Sequence, residues 1–362
     1  MRGPRMRNRW VWLGSVVSLL LPIMAEAQSD RPPIEIGGLL RTGFRAEPND
    51  SALFNKPTGF DIFDARLSVE GKIGIIFDYF TQVEYDLGTE SFKLLDAIAA
   101  IPVTREVKLS FGLFRPAFGL EALKDKGDLT FLERAQATQA IGPGRQVGVA
   151  ASVEAADGRL FFGTGLFNGN GQRFGNDGDN YMFSARGQFN SIGAISFYDD
   201  FVIQVGGSIA YSSDSSAELG LGIVTGGPRT AREFTTAFAG SRLLWGTDLK
   251  ASYRDFSITA EYLRAKYNVD SGLGATIPEK TDAYGGYVEM GYRAHGAVEG
   301  VVRYDSFEPA IGDRRDFLLF GFNIYPAFYT KFGLQYGVAV NSSQNTPTIA
   351  DGQFLFIVQV DF

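Results

Sequence analysis

Residues 61–72 read DIFDARLSVEGK. Phe63, Ala65, Leu67 and Val69 fall on one face of an extended chain, and Asp64, Arg66, Ser68, Glu70 and Lys72 on the other. Successive side chains of a strand point to opposite faces, so this period of two predicts a strand with one apolar and one polar side. Residues 75–87 repeat the pattern, with Phe77, Tyr79, Val83, Tyr85 and Leu87 against Asp78, Gln82, Glu84 and Asp86. The last residues do so again: Phe354, Phe356, Val358, Val360 and the terminal Phe362 alternate with Leu355, Ile357, Gln359 and Asp361.

Working outward, sixteen such segments are predicted, near 34–44, 61–72, 75–87, 92–102, 107–116, 145–155, 159–167, 180–190, 201–212, 243–253, 255–267, 281–293, 297–305, 316–325, 329–340 and 353–362. Most exceed the five or six residues usual in soluble sheets and suit a tilted membrane strand. Connectors alternate in length. Residues 45–60, 117–144, 168–179, 213–242, 268–280, 306–315 and 341–352 are long, whereas 73–74, 102–106, 156–158, 294–296 and 326–328 are short. Two break the rule, 88–91 being short and 191–200 long. Short turns on one side and long loops on the other are the asymmetry of a bacterial outer-membrane barrel, and an even strand count leaves both termini on the periplasmic side. A secreted β-sandwich would have shorter strands, and a β-solenoid would show a fixed repeat that the chain lacks.

Composition agrees. Mean hydropathy is −0.03, as expected when every strand alternates. Glycine is abundant, at 44 of 362 residues against a usual level of about 7%, as are Phe (31) and Tyr (15). Cysteine is absent and His295 is the only histidine, which excludes a disulfide scaffold, a thiol nucleophile and a multi-histidine metal site. The N-terminus reads as a secretory signal over residues 1–27, with a basic start (Arg2, Arg5, Arg7, Arg9), an apolar run at 10–24 and Ala25-Glu26-Ala27 as the cleavage site. Fifteen apolar residues fall short of the roughly 20 of a spanning helix. Cleavage removes four of 34 basic and one of 41 acidic residues, so residues 28–362, the barrel domain, carry a net charge of −10. That disfavours nucleic acid as a partner.

The lumen of a sixteen-stranded barrel is wide enough for water, so chemistry rests on which charges face in. Alternation places Arg41, Arg66, Lys72, Lys108, Arg186, Lys250, Arg303 and Lys331 on the polar face, together with a larger number of acids that includes Asp64, Glu84, Asp96, Asp248, Glu261, Glu289 and Asp305. Segment 117–144 is long enough to expect a function, and it carries Glu121, Lys124, Asp125, Lys126, Asp128, Glu133 and Arg134, with Arg145 at its end. Glu133, Arg134 and Arg145 read equally as an ion-pair group holding the loop down.

The blocks GLFRPAFGLE at 112–121, TFLERA at 130–135 and PGRQVGV at 143–149 resemble the third-loop region of the phosphate-selective porin O and P family. The strands at Phe60–Glu70, KLLDAIAAI at 93–101 and TDAYGGYVEMGY at 281–292 are similar to it as well, so the likeness spans the mature chain. The resemblance implies a transmembrane antiparallel barrel of about sixteen strands, a third loop folded inward, and a homotrimer. It also implies an anion pathway through Arg115, Arg134 and Arg145, with Arg41, Arg66, Lys124 and Lys126 as further candidates. One departure stands out: residues 122–128, ALKDKGD, interleave acids with the lysines where the family's version is rich in Ser and Thr.

The expected function is a passive outer-membrane channel for small anions, with phosphate or polyphosphate the first candidate. It needs no cofactor, and outer-membrane lipid and small anionic solutes are its partners. The acidic wall leaves open a general or cation-leaning porin. A barrel hydrolase or a purely structural barrel are the readings of another class. The hydrolase would need a base, and His295 lies at a predicted periplasmic turn.

Overall fold

A computed structural model describes residues 34–362 except 47–57, 75, 87–89, 173–174, 177–178, 192–200, 221–234, 271–279, 311–313, 328 and 342–351. The signal segment 1–27 and most of the connector 191–200 lie outside the described residues. Sixteen strands follow one another: β1 (Glu35–Ala46), β2 (Gly59–Ile73), β3 (Phe77–Asp86), β4 (Ser91–Pro102), β5 (Val107–Phe114), β6 (Gln146–Ala155), β7 (Leu160–Phe167) and β8 (Met182–Asn190). The second half comprises β9 (Phe201–Gly220), β10 (Thr235–Tyr253), β11 (Phe256–Val269), β12 (Lys280–Ala294), β13 (Val298–Glu308), β14 (Arg315–Ile324), β15 (Thr330–Asn341) and β16 (Gln353–Asp361). One short helix, α1 (Gln136–Ile141), sits between β5 and β6 and packs on β11, β12 and β13.

Each strand pairs antiparallel with its chain neighbours, and β1 pairs with β16 to close the barrel, Leu40 opposite Val360 and Phe44 opposite Phe356. Closure removes the unpaired edges that hydrocarbon cannot tolerate. Among the described residues no helix is long and apolar enough to cross a membrane.

The barrel is turned inside out relative to a soluble sheet. Leu67, Phe162, Ile209, Met290, Phe320 and Phe356 are exposed on the outer face, while Arg41, Asp64, Arg186, Asp248, Glu261, Arg303 and Gln359 are buried. Exposed apolar surface on this scale marks a membrane interface. Rings pair across strands at both rims, as in Tyr85–Phe92 at 5.1 Å, Trp245–Tyr262 at 5.5 Å and Phe256–Tyr292 at 4.6 Å.

Three expectations change. First, Phe63 does not face outward. A bulge shifts the β1–β2 register so that Arg41 opposes Asp64 but Thr42 opposes Ile62, and Phe63 turns inward beside Leu132, Leu355 and Ile357. One extra residue inverts the parity on its far side. Second, the segment predicted as the loop 213–242 is largely a ladder, since β9 and β10 stay paired from Phe201–Tyr253 to Gly220–Thr235. Arg242 is therefore a buried wall residue. Third, β1 runs to Ala46, which puts Arg45 in the wall, its guanidinium 5.4 Å from the Phe63 ring.

Candidate functional site

The site is assembled around residues 115–145, which join β5 to β6. Gly112, three residues upstream, has φ +122°, and a Cβ there would overlap the Ala97 carbonyl. Only glycine lets β5 approach β4 so closely where the chain leaves the wall. At the other end Arg145 makes a fork to Asp96 of β4, its Nε and Nη2 donating at 2.9 and 2.8 Å to the two carboxylate oxygens.

Between these roots the segment bonds to buried wall side chains of β9, β11–β16, β1 and β2. The Ser208 Oγ of β9 accepts from the Gly119 amide at 3.0 Å. The carboxylate of Glu261 (β11) accepts from the amides of Leu120 and Glu121, at 2.6 and 3.2 Å. Glu289 (β12) accepts from the Thr130 hydroxyl at 3.0 Å, and Asp305 (β13) from the Gln136 amide at 3.0 Å. Asn323 (β14) donates to the Thr130 carbonyl at 3.2 Å, and Gln335 (β15) accepts from the Leu132 amide at 3.0 Å. Lys331 (β15) and Gln359 (β16) donate to the carbonyls of Leu129 and Gly127, at 2.7 and 2.9 Å. A segment with little regular structure must place its backbone groups somewhere, and here the wall provides the partners.

Packing reinforces the polar anchors. Phe118, Ala137, Ala140 and Ile141 bury against Ala210, Leu244, Leu263, Ala265, Tyr267, Ala283 and Phe307. These wall residues interrupt the polar face of β9–β13 with an apolar seat. At its centre Arg303 of β13 donates to Glu121 at 2.6 Å and to Glu289 at 2.9 and 2.6 Å, lying between the rings of Tyr287 and Phe131 at 4.5 and 4.9 Å.

The predicted cations divide by partner. Arg41 pairs with Asp64, its Nε donating at 2.7 Å, and also donates to the Leu132 carbonyl at 2.8 Å. Lys126 shares Asp64, at 2.5 Å. Arg66 donates twice to Glu84, at 3.0 and 2.9 Å. Arg134 donates to the carbonyls of Glu121 and Lys124. Arg186 holds Asp248 bidentately at 2.5 and 2.9 Å. Arg115 donates to the Lys124 carbonyl at 2.9 Å and meets a carboxylate only at 3.5 Å, on exposed Asp125. Burial, followed by the charges of Arg145 and Arg134, pushes the Arg115 pKa down to about 9, so it still carries its charge at neutral pH.

Lys124 and Lys250 differ from the rest. Both line a cavity of about 700 Å³ at the end of the barrel where the turns are short, together with Asp128, Glu289, Glu299 and Arg293. Among the described residues neither ammonium group has a hydrogen-bond or ion-pair partner. On Asp128, burial and then the carboxylates of Asp125 and Asp361 raise the pKa. Among the described residues no group of three or more acidic or histidine side chains could hold a metal ion. Exposed His295 sits in the β12–β13 turn at φ +50°.

Alternation in the sequence places Arg41, Arg66 and Lys250 in the wall and Arg145 at the root of the segment, but it assigns to loops Arg45 and Arg242, which are buried wall residues. It also missed the anchoring role of Glu261, Asp305, Gln335 and Gln359. Their only sequence signal is an acceptor or amide on the inward parity of a strand.

The family model for the phosphate-selective porins O and P matches residues 34–357. No curated protein matches the sequence. Among solved structures, a loop L8 deletion mutant of the outer-membrane protein OmpT of Vibrio cholerae superposes with a TM-score of 0.63 at 15% identity, covering 92% of this chain and 100% of that one. In-vitro folded OmpT of the same organism in its trimer form gives 0.59 at 14%, over 92% and 100%. An anion-selective porin from Comamonas acidovorans gives 0.59 at 11%, over the same shares. These likenesses establish the barrel fold, and the family match establishes kinship: the chain belongs to the phosphate-selective porin O and P family.

Proposed function

We propose that this outer-membrane channel passes small anions by diffusion, with phosphate the first ion to test, through a passage narrowed by residues 115–145 folded into the lumen. The bonds from this segment to wall side chains of β9 and β11–β16, and back to β1 and β2, support the inward loop. A tether reaching so many strands has to cross the interior. The family and the anion-selective Comamonas porin support the anion.

The observation that carries the reading is the division of charges. Several acids of the wall and the loop are neutralised: Asp64 by Arg41 and Lys126, Glu84 by Arg66, Asp96 by Arg145, Asp248 by Arg186, and Glu121 and Glu289 by Arg303. Glu261 and Asp305 are buried and cap amides of the loop. Lys124 and Lys250 have no ion-pair partner among the described residues and Arg115 reaches only exposed Asp125, at 3.5 Å; these three form the anion pathway in this account. Arg41, Arg66, Lys126, Arg134 and Arg145 instead hold the loop and wall in shape. Lysine attracts phosphate as a point charge and leaves it free to move on.

A weakly selective general porin is the second reading, favoured by Asp125 and Asp128 beside Lys124. The channel works as an exported homotrimer without catalytic chemistry. The test is the reversal potential of the reconstituted triple variant R115Q/K124Q/K250Q under a salt gradient. The account expects its anion-to-cation permeability ratio to fall well below that of the native chain; an unchanged ratio refutes the assignment.

A further inference from the structure

The outer face of β10–β13 has an ordered layout that the channel reading does not use. In register, one row holds Leu243, Lys266 and Asp282, and the next Trp245, Arg264, Tyr284 and Glu308. The row below is Thr247, Tyr262, Gly286 and Ser306, and under it lie Leu249, Ala260, Val288 and Tyr304. Charge therefore stops along one line. Ten residues separate Arg264 from Arg254 in the opposite turn, which at a strand tilt of about 40° is roughly 25 Å, the height of the apolar band of such barrels. Arg264 thus stands at headgroup level on the side of the long loops, the outer leaflet.

Just below the line is a groove of about 480 Å³. Tyr262, Tyr284 and Tyr304 wall it, and Arg314 closes its upper end. Its floor is bare backbone, because a Cβ on Gly286 would overlap the Glu261 carbonyl. Above it, Arg264 is paired with Asp282 at 2.6 Å in a half-exposed bridge, Arg314 with Asp316 at 2.9 Å, and exposed Lys266 has no partner among the described residues. Exposed ion pairs contribute little, about 0–1 kcal/mol, so the Arg264 guanidinium can turn to a better anion, while the half-exposed Arg314 guanidinium can meet one with buried Asp316 still on its Nε. Three cations over an apolar, glycine-floored slot match a phosphate on an acyl chain, with arginine supplying planar forks.

We propose that this groove is a binding site for a phosphorylated glycolipid of the outer leaflet. One acyl chain lies over Gly286 between the tyrosines, and a phosphate is held by Arg264, Lys266 and Arg314. The site fixes the barrel's height and rotation against its own leaflet.

The test is native mass spectrometry of the purified full-length barrel in mild detergent, titrated with bis-phosphorylated lipid A or with the same lipid dephosphorylated. The proposal expects a retained lipid on the native chain and about tenfold less on R264Q/K266Q/R314Q. Dephosphorylated lipid should show a similar loss on the native chain, and R105Q/R159Q, altered at the opposite rim, full retention. Equal retention by the triple variant overturns the site. So does indifference of the native chain to dephosphorylation, a measurement that needs no variant to fold.

Discussion

Replacing Arg303 by methionine removes one side chain and three short charge-assisted bonds, to Glu121 at 2.6 Å and to Glu289 at 2.6 and 2.9 Å. It leaves those two buried carboxylates, with Asp305 and Glu261 nearby, short of their shared cation. Stripping one partner from a buried pair costs about 3–5 kcal/mol. At about 1.4 kcal/mol per factor of ten, the docking equilibrium of residues 115–145 shifts by roughly two to four decades. The cost falls on the loop, because the ladders that close the barrel involve none of these atoms. The readouts are therefore separable. Single-channel recordings of R303M should show noisy openings of larger conductance than the native level, while the heat-induced mobility shift of the folded barrel on a gel stays the same. Adding E121Q and E289Q should quiet the channel again, since neutral groups tolerate the missing cation. A single variant with native conductance and native noise would refute the idea that Arg303 locks the loop.

Other outcomes follow from the same geometry. E261Q should loosen the loop by about 1–3 kcal/mol per weakened amide contact, read as faster proteolytic nicking between β5 and β6. D128N should flatten the acid limb of selectivity. The raised Asp128 pKa means that the native vestibule takes up this proton at a higher pH than an ordinary aspartate would, so its anion preference grows as pH falls, and the neutral variant lacks this step. In stability terms the same raised value favours the folded barrel at low pH and loses that contribution as pH rises through it. G112A should cut the yield of heat-modifiable barrel, because a Cβ meets the Ala97 carbonyl and the positive φ becomes strained.

How much of this was legible in the sequence depends on the range of the information. β2, β3 and β16 announce themselves because a strand's two faces are written in alternate letters. The inversion at Phe63 was invisible, since a bulge adds a residue without changing composition. The tops of β9 and β10 were missed because SSDSSAELG reads as a polar loop, whereas each ladder bond there is supplied by the partner strand. At the site, residue types were legible but partners were not. Arg303 and Glu121 lie 182 positions apart and Gln335 and Leu132 203, distances that only barrel closure brings together. A count of inward acids does not show which of them are paired, and pairing decides which charges a passing ion meets.

The most direct measurement is the reversal potential of the native channel in a planar bilayer under a potassium chloride gradient, repeated with phosphate added. The account predicts an anion-selective potential and a chloride current that phosphate reduces in the native chain but not in R115Q/K124Q/K250Q. A cation-selective potential, or a current indifferent to phosphate, would contradict it.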